Sequence, residues 1–154
     1  MLTAVMAAVL FAYLHLLSAG LAAGMLLVEH WLLRRPVDRL QARLLGVADL
    51  TWLLGLIGSI ATGVARGNYF GHGTAYYLAN HLFLLKLGVL AVVVVAAPLP
   101  TRQFIRWNRE ARLAPAFAPL TRDLERVRAV ISLELGLVAL LPLLSVLVGR
   151  GYGL

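Results

Sequence analysis

The chain has 154 residues, of which 61% are hydrophobic and only 14% charged, with no cysteine and a formal net charge of +7. A soluble domain carries about a quarter of its residues charged, so these proportions, with a mean hydropathy of +0.86, exclude a soluble enzyme or a nucleic-acid-binding domain and indicate an integral membrane protein. Without cysteine, neither disulfides nor thiolate metal ligands are available.

A helix needs roughly 20 apolar residues to cross a hydrocarbon core about 30 Å thick. Four segments meet that requirement, residues 3–33, 44–64, 76–99 and 129–148. They leave no room for a soluble domain, so the expectation is one all-α domain over residues 1–154, an integral membrane four-helix bundle. No basic residue precedes the first segment and its apolar run is too long for a cleavable leader, so it is expected to remain as a span. Gly20 and Gly24 form a small-xxx-small pair on it, a pattern that suits close helix packing. The same segment carries His15, and Glu29 and His30 near its end. Fourteen residues separate His15 from Glu29, which at about 100° per residue leaves them roughly 40° apart, on one face.

Arg34, Arg35, Arg39 and Arg43 follow, with Pro36 ending the span. Asp49 lies a turn or two into the second segment. Glu29, His30 and Asp49 are therefore expected to pair with these arginines near the interface. The stretch "GNYFGHGTAYY", residues 67–77, reads as a compact loop beside Arg66, the one basic residue of this joint.

In the third segment Lys86 lies about 15 Å along the helix from Tyr76, near mid-bilayer, and His15 lies about 18 Å from Thr3, at a matching depth. His81, five residues before Lys86 and roughly 140° around the helix from it, is placed closer to the interface. Pro98 and Pro100 are expected to close this span. Beyond them come Arg102, Arg106, Arg109, Arg112, Arg122, Arg126 and Arg128. Residues 101–113 are expected to form a short interfacial helix with Phe104, Ile105 and Trp107 as its apolar surface. The fourth span holds Glu134, a rival partner for Lys86, and Pro142, which is expected to kink it.

Eleven of the fourteen basic residues thus fall in the first and third joints. By the positive-inside rule these joints are cytoplasmic and both termini lie outside. The arginine collar would attract anionic headgroups of the bilayer. Tyr69, Phe70, Tyr76, Tyr77 and Tyr152 would form an aromatic belt on the opposite side, with Trp31 and Trp107 near the inner interface.

An ionisable group at the bilayer centre costs a few kcal/mol or more unless it is partnered or hydrated. A mid-membrane imidazole and ammonium together suit haem: the iron takes a histidine, the macrocycle is apolar, and two propionates need cationic or hydrogen-bonding partners. His15 is the expected axial ligand of haem b. Lys86 is the expected second ligand or carboxylate partner, and Arg66, Tyr69, His72, Tyr76 and Tyr77 are available at the rim, with His81 a further candidate. A two-histidine copper site is a poorer fit, since no methionine lies at a convincing spacing.

The stretches "AYLHLLSAGLAAGMLLVEHWLLRRP", "ATGVARGNYFGHGTAYYLAN", "FLLKLGVL" and "ISLELGLVALLPLLSVLVGRG" resemble an uncharacterised family of small four-span bacterial membrane proteins over nearly the whole chain. That family is in turn similar to the HemJ-type protoporphyrinogen oxidases, whose first-span histidine and third-span lysine are functional and which bind haem b. The resemblance reaches His15 and Lys86. It departs at "VEHWLL", and the histidine close before the lysine is missing. It implies a haem-binding scaffold in the bacterial cytoplasmic membrane more than porphyrinogen oxidation itself. Two readings follow: a haem-b-binding redox protein, or an accessory subunit of a larger membrane complex or homo-oligomer in which the buried charges pair between helices.

Overall fold

The computed structural model describes residues 2–70, 73–114 and 116–153. Its elements are α1 (Leu2–Leu32), α2 (Arg39–Ala65), a π-helical turn (Arg66–Phe70), α3 (Thr74–Ala79), α4 (His81–Ala96), α5 (Pro98–Leu113) and α6 (Thr121–Gly149), with no strand among the described residues. Four helical stretches are long and apolar enough to cross a membrane: Val5–Leu32, Arg39–Phe70, His81–Leu113 and Thr121–Gly149.

Local chemistry sets the ends of these helices. After α1 the chain tightens through bonds from Arg34 N–H to the Trp31 carbonyl and from Arg35 N–H to the Leu32 carbonyl, before Pro36, which has no N–H to continue the ladder. The Asp38 carboxylate caps α2 by accepting from Gln41 N–H at 2.8 Å. Asn80 does the same for α4, accepting from Phe83 N–H at 3.0 Å. The third span therefore begins at His81 rather than at Tyr76, and residues 67–77 are less of a loop than expected, since they include the π-helical turn and part of α3.

Pro98 and Pro100 do not close the span. Ala97 keeps right-handed helical geometry, φ −48° and ψ −40°, and its N–H reaches the Val93 carbonyl at 2.9 Å. Pro98 falls in the first turn of α5, where its fixed φ suits a helix. Helical structure continues to Leu113, giving a stretch of 33 residues. The expected helix over residues 101–113 is present as part of α5, but its aromatic side does not lie against lipid. Pro100, Phe104, Trp107 and Ala111 recur at the spacing of one helical stripe and are all buried, whereas Ile105, off that stripe, is 55% exposed. Trp107 is thus a core residue and not an interfacial anchor.

The helices form two antiparallel pairs. α1 and α2 pack along most of their length, with Gly55 against the backbone of Ser18 and Ala22, and Gly58 against the Ser18 side chain. Gly20 and Gly24 face open space, so the close seam of the first span runs through Ser18 and Ala22 instead. α4 pairs with α6, and the start of α4 is fastened to the end of the chain: Asn80 Nδ2 donates to the Tyr152 carbonyl at 2.9 Å and His81 N–H donates to the Gly153 carbonyl at 2.8 Å.

The pairs meet at the arginine-rich end. There the Arg128 guanidinium donates to the Leu33 carbonyl at the end of α1, Thr101 donates to Asp49 Oδ1 at 3.0 Å, and Arg106 pairs with Asp123. Most of the buried apolar side chains, among them Leu26, Leu45, Trp52, Phe104, Trp107 and Ile131, lie in this half. Toward the aromatic end the pairs part, and no Cα of α4 comes within 8 Å of a Cα of α1 or α2 among the described residues.

Candidate functional site

His15 is half-buried on α1. Its Nδ1 lies 2.9 Å from the Ser59 carbonyl, an atom that only accepts, so Nδ1 carries the proton and donates. The Thr62 hydroxyl, 3.2 Å from the same nitrogen, donates its own proton to the Gly58 carbonyl at 2.6 Å and turns a lone pair toward the ring. Gly63 makes room for the imidazole: a Cβ there would stand 3.2 Å from His15 Cε1. This arrangement fixes one tautomer and leaves Nε2 with no hydrogen-bond partner among the described residues, as in a histidine oriented to bind a metal.

Lys86 is half-buried on α4 and makes no hydrogen bond or ion pair among the described residues. It lies within electrostatic range of His15 and of the Arg66 guanidinium. Tyr77 lies nearby. Its ring stacks on Phe83 at 4.9 Å and edge-on to Tyr76 at 5.5 Å, and it covers Gly67, next in sequence to Arg66. His81 is exposed, and its Nδ1 is 3.4 Å from the Gly153 carbonyl, so it clasps the C-terminal turn rather than facing Lys86. His72 lies outside the described residues.

A second group of side chains occupies the arginine-rich half. Glu29, Asp49 and Glu134 are all buried and come from α1, α2 and α6. They lie near enough to one another to repel if ionised. Asp49 is bonded to Thr101, but none of the four carboxylate oxygens of Glu29 and Glu134 has a partner among the described residues. Of the expected arginine pairs only that of His30 forms among the described residues, Arg34 donating to its Nε2 at 3.0 Å; Glu29 and Asp49 take no arginine, Arg35 lies over the Trp31 ring, and Arg128 is held by the Leu33 carbonyl. Glu134 faces carboxylates rather than Lys86.

Helical spacing held a signal for this group. Ala22, Leu26, Glu29 and Leu33 form one buried row, as do Leu45, Asp49, Trp52 and Leu56, and Val127, Ile131 and Glu134. Each carboxylate fills a core position of its helix. No three of the His, Asp and Glu side chains converge closely enough to share a metal ion, among the described residues.

The family described as "Predicted membrane protein (DUF2214)" matches residues 7–153. The chain belongs to that family. Neither a curated protein nor a solved structure matches it. In this DUF2214 protein the two polar groups are thus the features from which a function can be argued: His15, Arg66 and Lys86 toward the aromatic end, and buried acids at the other.

Proposed function

We propose that this protein is a haem-b-binding redox or electron-transfer protein of the bacterial cytoplasmic membrane, built on a HemJ-like scaffold. The observation that carries the reading is the state of His15: Nδ1 is tied to a backbone carbonyl, Nε2 is left to ligate, and the ring stands where the two helix pairs part. His15 would hold the iron, while Lys86 and Arg66 would face the propionates and Tyr77 would border them, supplying the cations that two carboxylates need. Haem bound there would supply one-electron redox chemistry. The residues themselves orient the imidazole, through Ser59 and Thr62, and balance the carboxylate charge.

Purified protein, expressed with haem supply, is expected to show a Soret band. His15→Ala should remove it, and Lys86→Ala should shift or weaken it. Glu134→Ala, in the other half of the bundle, should leave it in place. Gly63→Leu, which displaces the ring without removing it, should weaken the band, so that a His15 variant that fails to fold does not leave the question open. A colourless parent protein, or a band that survives His15→Ala, overturns the reading. Colourless protein recovered in a stable complex would support an accessory subunit instead.

The orientation belongs to the same proposal, with the arginine-rich end cytoplasmic and both termini outside, as the distribution of arginine favours. Reporter fusions after Arg39 and after Gly73 are expected on opposite sides, with the first inside. Both on one side would refute the topology.

A further inference from the structure

Glu29 and Glu134 take no part in the proposed haem site, yet each has 0% of its surface exposed and neither has a hydrogen-bond partner for either oxygen among the described residues. Two ionised carboxylates in that state, with a third beside them, would each lose several kcal/mol of hydration with no cation in return. The charged groups around them supply none. On α1 the neighbouring His30 is taken by Arg34 and lies 3.4 Å from the Ser132 hydroxyl. On α2 the facing group is Asp49, an acid, and α5 offers the Thr101 hydroxyl. On α6 Arg128 is held by the Leu33 carbonyl, and the ionisable residues of α4, His81 and Lys86, belong to the opposite half.

What remains to neutralise the acids must be small and must have a way in. A groove of about 460 Å³ runs between α2 and α5. Its mouth carries Arg43, Arg112 and Asn108, and it leads to Asp49 and Thr101. Gly46 keeps it narrow there, since a Cβ on it would stand 2.5 Å from Asn108 Nδ2. Asp49 thus touches both the groove and the electrostatic field of the two sealed glutamates. Its Oδ1 accepts from Thr101, and a carboxyl group so held can take a proton from groove water and pass it inward. The Trp52 indole N–H, one helical turn from Asp49, is likewise buried without a partner among the described residues.

We propose that Asp49, Glu29 and Glu134 form a proton-binding site, loaded from the arginine-rich face through the groove between α2 and α5. The ligand is the proton itself: Asp49 is the entry group, and Glu29 and Glu134 hold the protons behind it as neutral acids. The site stands whether or not haem binds at the other end, since no residue is shared.

Infrared spectroscopy of the full chain in lipid vesicles at neutral pH tests it. The C=O stretch of protonated carboxylic acids is expected, shifting on transfer to heavy water. Glu29→Gln and Glu134→Gln should each remove part of that band while the protein keeps its thermal midpoint, because a glutamine amide matches the size of a neutral acid. Asn108→Trp, which fills the mouth of the groove, should slow the heavy-water shift several-fold without changing the band's area. Absence of the band, or a band untouched by both glutamine variants, overturns the site. Exchange at the parent rate in Asn108→Trp overturns the route through the groove.

Discussion

Leucine at position 55 is expected to prevent the protein from folding, and alanine there to cost about 1–3 kcal/mol, the range for overpacking a tight contact. A Cβ on Gly55 would stand 2.8 Å from the Ala22 nitrogen and 2.9 Å from the Ser18 oxygen, both backbone atoms. Backbone cannot move aside as a flexible side chain can, so the two helices must separate along their seam. In a membrane that separation is serious, because helices there associate through close van der Waals contact rather than by expelling water. It would also pull Ser59 and Thr62 from His15. Reversible unfolding in mixed micelles measures the alanine effect, and the yield of monodisperse protein measures the leucine effect. Gly20→Leu and Gly24→Leu, both in open space, should behave like the parent. Equal yields from Gly55→Leu and the parent would show that α1 and α2 do not meet there.

Trp107→Ala is expected to destabilise the arginine-rich half by about 3–5 kcal/mol, as large aromatic truncations in cores do. Trp107 has 0% of its surface exposed and its ring lies 5.8 Å from Phe104. The Gln103 amide, oriented with its oxygen toward the indole, accepts the Trp107 N–H at 2.6 Å. Removal would leave a void between α5 and its neighbours and strand the amide. Trp31→Ala, at 52% exposure, should cost far less in the same unfolding assay. Near-equal losses from the two variants would return Trp107 to the interface, where the amphipathic pattern of the sequence alone puts it.

The four spans are legible because apolar length alone identifies them. Rotation about a helix axis is harder to read. In a chain whose lipid-facing sides are as apolar as its core, the rows that hold Glu29, Asp49 and Glu134 do not stand out from the surrounding leucine and valine. Distance to the nearest arginine then gives the wrong partner for each acid. Gly20 and Gly24 mislead for the same reason: the pattern shows that a close approach is possible without showing which side of the helix makes it. Pro98 and Pro100 follow a different physics. A proline ends a helix when the chain has somewhere else to go, and here the buried row of Phe104, Trp107 and Ala111 draws the following residues back against the bundle.

The continuation of α4 through Ala97 into α5 has a mechanical consequence. Its 33 residues span about 50 Å at 1.5 Å each, well beyond the hydrocarbon thickness of about 30 Å. One end is clamped by buried aromatic rings, and the other stands clear of α1 and α2, fastened to α6 and the C-terminal turn. Such a rod is a lever: pivoting by about 10° carries its far tip through about 9 Å over that length. Anything that wedges the helix pairs apart at one membrane surface therefore applies torque to the clamp at the other, and a bilayer of different thickness would load the same arm.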